Sequence, residues 1–330
     1  MIIAEIAQAH DGSLGNAHAF IDALATTGVD AVKFQTHIAE AESSSFEPFR
    51  IKFSKQDETR FDYWKRMEFT PDQWKGLKDH CHEKGMQFIS SPFSVAAVDL
   101  LNEIGVDAYK IGSGEIANKL MLERIAKTGK PVIMSSGMST MYELEEAISW
   151  LNEQNVDLSI LQCTTAYPTD PEQWGLNMIG KLKEKFNMPV GFSDHSGDIF
   201  ACLAAASLGA ELFEFHVVFD KRQFGPDSIA SISIDDTSRL CKGIKQIKKS
   251  LSHPVDKNDD TKFKELKRIF GKSLAVNKKL EIGHSITMDD LESKKPGDKG
   301  IPANQFSSIL GRKTKRKMEK WEFLNFEDLN

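Results

Sequence analysis

Two histidines with chemically suggestive neighbours open the reading of this chain. His195 lies in MPVGFSDHSGD and His216 in ELFEFHVVFDKRQFGPDS. Each stretch reads as a short buried strand, Pro189 to Phe192 and Glu211 to Val218, and Asp198 to Leu208 between them has the length and alanine content of a crossover helix. Such a βαβ unit makes its strands parallel, so both present their carboxyl ends on one side of the sheet. Two imidazoles there can share one divalent metal and leave coordination positions open for water or a substrate oxygen. Isolated histidines are more often loop or core residues. Here Ser193 and Asp194 precede the first, and Asp227 follows the second in Gly-Pro-Asp.

The elements that must position these groups recur along the whole chain. IIAEIA ends near Glu5, and Ala17 to Thr27 follows as an amphipathic helix closed by Gly28. DAVKFQTH carries Lys33 and Gln35; Pro71 to Lys84 is a helix that Thr70 caps and Gly85 stops; MQFISSPFS brings Ser91. Val95 to Glu103 leads to DAYKIGSGE, with Lys110, Ser113 and Glu115, and Asn118 to Lys127 leads to KPVIMSSGM, with Ser135. Met141 to Asn152 leads to LSILQCTTAYP, with Thr165 and Tyr167, and Glu172 to Phe186 returns the chain to the first histidine. Eight strands, each followed by a helical segment ending with Asp235 to Leu251, predict a (β/α)8 TIM barrel, whose catalytic groups come from the carboxyl ends of several strands. An open doubly wound sheet is the rival fold, but no GxGxxG turn follows the first strand. One connection breaks the rhythm: Ile38 to Phe69, rich in charge and aromatics, reads as a lid or partner contact, or as a solvated excursion with a short helix.

A packed barrel interior wants apolar or small side chains, so Lys33 and Lys110 at strand ends are costly unless an anion neutralises them. The expectation is a phosphate or carboxylate ligand, with the lysines as point charges. Ser91, Ser113, Ser135 and Ser193, with the backbone of Gly112 to Gly114, would supply hydrogen bonds. Each serine alone reads as a helix cap and each lysine alone as a snorkelling surface residue; their convergence favours a site. Glu115 is placed to manage a proton during addition of water, and Asp227 to orient a polyhydroxylated partner. A metal at His195 and His216 would act as a Lewis acid on a carbonyl oxygen, which points to condensation of an aldehyde with a phosphorylated enol.

Composition limits the alternatives. The 330 residues suffice for one large α/β domain and a small one, and the net charge of −6 lacks the basic stripe that tracks a nucleic acid backbone. Cys81, Cys163, Cys202 and Cys241 form no CxxC pair, which suits reduced thiols in the cytoplasm. No segment approaches the run of about 20 apolar residues that a membrane span needs. After residue 251 the composition turns polar. Residues 252–271 read as a linker, and 272–330 as a small strand-rich module too short to be stable without docking onto something.

The motifs IIAEIAQAHDGSL, AVKFQTHIAE, FISSPFS, AYKIGSGE, PVIMSSGM, LQCTTAYPT, VGFSDHS and the His216 to Asp227 stretch resemble the N-acetylneuraminate (sialic acid) synthase family. GHSITMDDL and KKPGDKGIP resemble that family's C-terminal antifreeze-like (SAF) domain. The resemblance implies a condensation of phosphoenolpyruvate with an open-chain N-acylmannosamine-type sugar, dependent on manganese or magnesium, giving a nine-carbon 2-keto acid and phosphate. It implies that Lys33, Ser91, Lys110, Ser113, Ser135 and Ser193 contact phosphoenolpyruvate, with Thr165 where some members have asparagine. It further implies His195 and His216 as metal ligands, Gln35, Tyr167 and Asp227 as sugar contacts, Glu115 as acid/base and Glu5 as a carboxylate near the aldehyde. It also implies a domain-swapped homodimer in which the SAF module closes the partner's barrel mouth. Lys295 stands where several bacterial members have an arginine reaching the N-acyl group, and Ala9 where an asparagine is usual, so legionaminate-like, pseudaminate-like or other nonulosonate products stay open. A class I aldolase using Lys110 or Lys33 as a Schiff base is the second reading, and a carbohydrate-binding protein with an inactive barrel the third.

Overall fold

Eight short strands build the first part of the chain, and their period of two sends one set of side chains out to helices and the other inward. They are β1 Ile2–Glu5, β2 Ala31–Thr36, β3 Gln87–Pro92, β4 Ala108–Ile111, β5 Val132–Ser135, β6 Leu158–Cys163, β7 Val190–Asp194 and β8 Phe213–Val218. All pair in parallel in sequence order, and β1 also pairs with β8, so the sheet closes into a barrel. The computed structural model describes residues 1–330 and divides into two compact units, Met1–His253 and Pro254–Asn330.

The outward face shows why these sequences make this fold. Val32, Phe34, Phe88, Tyr109, Val132, Phe192 and Phe213 pack against helices that bury residues at spacings of three and four, such as Trp74, Leu77 and Cys81 of Pro71–Glu83. Thr70 caps that helix in a reciprocal box with Gln73, and Gly85 after it takes a positive φ of 76°. The inward face begins with an apolar plug of Ile3, Ala31, Ile89, Ala108, Ile133, Leu161 and Leu212. On β7 the corresponding position is Gly191, where a Cβ would run into the Leu212 carbonyl and the Leu161 side chain. Gly191→Ala is therefore expected to destabilise the chain by about 3 kcal/mol through overpacking, measured by denaturant unfolding; wild-type stability would contradict this account of the plug.

The expected boundaries shift where burial, not composition, decides them. β8 starts at Phe213 rather than Glu211, whose side chain is exposed and paired with Lys183, and the crossover helix runs Phe200–Ser207. The Glu172 to Phe186 helix divides into a short 3-10 turn at Pro171–Gln173 and a helix at Asn177–Phe186. The long connection folds on itself. It holds helices Ala39–Glu42 and Arg60–Met67 around a small core of Ala39, Tyr63, Trp64 and Met67. All four cysteines are free and buried, and no helix is long and apolar enough to cross a membrane.

In the second unit, a helix at Lys264–Phe270 falls within the stretch read as linker. A two-stranded antiparallel sheet, Ser273–Val276 with Leu291–Lys294, and several isolated bridges surround a core that includes Leu274, Val276, Leu280, Ile286, Met318 and Leu324.

Candidate active site

One step of two residues beyond the apolar plug, every strand changes chemistry. Glu5, Lys33, Ser91, Lys110, Ser135, Cys163, Ser193 and Glu214 follow Ile3, Ala31, Ile89, Ala108, Ile133, Leu161, Gly191 and Leu212 in turn. They form a buried polar ring around the barrel axis, and all line one cavity of about 360 Å³ at the carboxyl ends of the strands. A further step of two on β2, β7 and β8 adds Gln35, His195 and His216.

The ring is electrostatically paired. Lys33 Nζ lies 2.5 Å from Glu5 Oε1 and donates to Ser91 Oγ at 3.2 Å. Lys110 Nζ donates to Ser135 Oγ at 2.6 Å and stands 3.5 Å from Glu214 Oε1, which accepts from Ser193 Oγ at 3.0 Å. Sequence reasoning expected a bound anion to neutralise the lysines; the protein already does so with Glu5 and Glu214. Glu214 was missed, although the alternation Leu212, Glu214, His216 puts it on the inward face. Its Oε2 is buried without a hydrogen-bond partner.

Burial pushes the Glu5 carboxyl up, but the charges of Lys33 and His216 and their hydrogen bonds outweigh it and hold Glu5 well below the usual carboxylate range. Burial lowers Lys33, and Glu214 and Glu5 more than reverse it, so the ammonium is kept. The two histidines differ. Burial, with the His216 charge, depresses His195 far below the ordinary imidazole value, whereas Glu5 raises His216 against the effect of burial. Burial also lifts the Glu115 carboxyl, partly offset by a hydrogen bond from Asn118 Nδ2 at 2.8 Å.

The histidine rings face each other with centroids 5.1 Å apart. Tyr167 OH lies 2.8 Å from His195 Nε2, Thr164 Oγ1 is 3.1 Å from Nδ1, and Glu5 Oε2 is 3.2 Å from His216 Nε2. Imidazole binds a metal in its neutral form, which burial favours at His195 and which His216 would reach by giving up the proton that Glu5 stabilises, so a divalent cation held there would take that proton's place. No group of three His, Cys, Asp or Glu side chains is arranged to hold a metal ion.

Of the residues singled out from sequence, Glu5, Lys33, Gln35, Ser91, Lys110, Ser113, Glu115, Ser135, Tyr167, Ser193, His195, His216 and Asp227 line this cavity. Thr165 does not. β6 ends at Cys163, and beyond it the alternation is lost. Thr165 becomes exposed and lines a neighbouring cavity with Gly137 and Gln162, while Thr164 is the one that meets His195. Lys295 belongs to the second unit, with Nζ 5.0 Å from the centre of the Phe270 ring.

The long 38–69 connection contributes Arg50, Arg60, Tyr63 and Trp64 to the wall, and His37 stacks between Trp64 and Phe93 at centroid distances of 3.8 and 4.5 Å. With these the lining holds four carboxylates, Glu5, Glu115, Glu214 and Asp227, against four fixed cations, Lys33, Lys110, Arg50 and Arg60.

Comparisons with known proteins find relatives over most of the chain. The NeuB family model matches residues 20–256. The chain is 35% identical over 318 residues to N,N'-diacetyllegionaminic acid synthase of Campylobacter jejuni, covering 94% of this chain and 95% of that one. It is 32% identical over 316 residues to human N-acetylneuraminate-9-phosphate synthase, covering 94% and 88%. Among solved structures, the sialic acid synthetase of Leptospira borgpetersenii superimposes with a TM-score of 0.71 at 31% identity, over 80% of this chain and 89% of that one.

Proposed function

Because the chain belongs to the NeuB family, we propose that it is a nonulosonate synthase, condensing phosphoenolpyruvate with the aldehyde of an open-chain N-acylmannosamine-like sugar and water. The products are a nine-carbon 2-keto acid and phosphate. The observation that carries the reading is the layered cavity: a ring with two lysines and three serines, and a facing histidine pair one step further out.

Lys33 and Lys110 would meet the ester's carboxylate and phosphate, with Ser91, Ser113, Ser135 and Ser193 donating hydrogen bonds. Gln35, Tyr167 and Asp227 would hold the sugar's oxygens, and Glu5 would lie beside its aldehyde. His195 and His216 would hold a manganese or magnesium ion, which when bound supplies Lewis-acid polarisation of the aldehyde oxygen. The enol's C3 electron pair forms the new bond to the aldehyde carbon, whose oxygen takes a proton. Water then adds to the electron-deficient C2 and Glu115 accepts one of its protons, which replaces the one taken up by the aldehyde oxygen; the C2–O bond to phosphate breaks as the remaining hydroxyl becomes the ketone, its proton leaving with the phosphate.

Burial makes Glu115 a stronger base than an exposed glutamate. As a base it works ionised, so kcat/KM is expected to rise as pH increases through a pKa above the ordinary glutamate value. Glu115→Gln should bind both substrates, slow turnover by about 100-fold and remove that limb of the pH profile. Unchanged turnover would remove Glu115 from the chemistry.

The second unit would be an SAF module at residues 272–330, following a linker at 252–271 and a barrel at 1–251. In a domain-swapped homodimer it would serve the other chain's site, with Lys295 as a sugar contact. Schiff-base chemistry at Lys33 is disfavoured because Glu214 and Glu5 keep its ammonium, whereas imine formation needs a neutral amine. The direct test is release of phosphate and formation of a 2-keto acid, followed by mass spectrometry, from phosphoenolpyruvate and a panel of N-acylated hexosamines. Absence of product across the panel, or a borohydride-trapped lysine adduct, would overturn the proposal.

A further inference from the structure

Beyond β1 the chain turns back on itself. Ala9 N donates to Ile6 O at 2.9 Å, and Ala7 between them takes a φ of 46°, a left-handed conformation that alanine seldom adopts. The turn brings Gln8 into the cavity wall with Glu5 and Gln35, at a place where strand parity says nothing of direction. Gln8 Nε2 donates to Gln35 Oε1 and lies 3.4 Å from His37 Nε2. His37 is itself held on three sides: Trp64 and Phe93 sandwich its ring, and its Nδ1 lies 2.7 Å from Glu42 Oε1.

The hydrogens along this chain of side chains follow from one end. A carboxylate only accepts, so His37 Nδ1 carries the hydrogen that meets Glu42. His37 Nε2 and Gln35 Oε1, 3.3 Å apart, then face each other as two acceptors, and the Gln8 amide lies against both with a hydrogen for each. Gln35 is thereby turned with its oxygen to Gln8 and its nitrogen to Glu5, where Nε2 donates to Oε1 at 2.7 Å. Its second N–H is left for a ligand oxygen in the cavity. A reversed amide would set the Gln35 oxygen against the Glu5 carboxylate. Building on the synthase reading, we infer that Gln8 is a positioning residue which, braced by the His37–Glu42 pair, fixes Gln35 with its amide nitrogen toward Glu5 and the acceptor sugar. Glu42 ends the helix Ala39–Glu42 of the long connection, so the folding of that connection sets the polarity of a group inside the site.

The first test is nitrogen NMR of the full chain labelled with [15N]histidine. His37 is expected to carry a hydrogen on Nδ1 and none on Nε2. Gln8→Glu keeps the side chain's size and removes its donors, so His37 Nε2 should then become protonated. The second test is steady-state kinetics with phosphoenolpyruvate, Mn2+ and the N-acylated hexosamine of the panel that the wild-type chain turns over. Gln8→Met should raise KM for the sugar by about tenfold and move KM for phosphoenolpyruvate by less than about twofold. Gln8→Glu, which draws the Gln35 nitrogen away from Glu5, should lose about tenfold more in kcat/KM for the sugar. A hydrogen on His37 Nε2 in the wild type, a Gln8→Met loss shared equally by both substrates or absent, or a Gln8→Glu variant no worse than Gln8→Met would overturn the inference. If the wild-type chain forms no keto acid from phosphoenolpyruvate and any sugar of the panel, the synthase reading fails, and the His37 spectra of wild type and Gln8→Glu still decide whether Gln8 sets the hydrogen-bond polarity.

Discussion

His216→Ala is expected to lower kcat by about 10³-fold and to leave a residual activity that no longer responds to metal. Wild-type turnover should vanish in EDTA and return with Mn2+; the variant's residual turnover should do neither. The fold should survive. Glu5 loses one partner but keeps Lys33 at 2.5 Å and a hydrogen bond from Gln35 Nε2 at 2.7 Å, so the carboxylate that His216 faced is not left unpaired. Unfolding by denaturant should therefore shift by no more than about 2 kcal/mol, the cost of removing a buried ring that the neighbours only partly refill. A variant that turns over at the wild-type rate and remains sensitive to EDTA would show that the ion is held elsewhere.

The barrel was legible because its signal is periodic and repeated: eight apolar runs ending in polar residues, separated by helices with caps such as Thr70 and stops such as Gly85. Most of the cavity lining followed, since a residue at a strand end with inward parity has few other places to go. The same parity points to Glu214, two residues before His216, which lies near the start of its strand and not at the polar strand end. Thr165 shows the limit of the rule. Alternation predicts direction only while the strand lasts, and β6 stops at Cys163. Arg50 and Arg60 were out of reach for a different reason. Arg50 lies outside any helix or strand and Arg60 is the first residue of the short helix Arg60–Met67, so the packing of that helix on the local core of Tyr63, Trp64 and Met67 decides which side chains face the mouth.

Lys110→Met should separate what holds the ring together from what the ligand needs. Removing this ammonium leaves Glu214, 2% exposed, with Ser193 as its hydrogen-bond partner and one oxygen already unpaired. A buried charge stripped of its partner costs about 3–5 kcal/mol, somewhat less here because Lys33 also feels the Glu214 field. The single variant should lose about 3 kcal/mol in denaturant unfolding, and kcat/KM for phosphoenolpyruvate should fall by about 10³-fold. Adding Glu214→Gln removes the orphaned charge, keeps an oxygen to accept from Ser193, and places an amide where the unpaired oxygen was. Most of the lost stability should return. Activity should not, because the double variant still lacks the positive charge that a phosphate or carboxylate would meet. Recovery of turnover together with stability would mean that Lys110 serves the barrel alone, and a single variant as stable as wild type would mean that the Lys110–Glu214 pair does not support the ring.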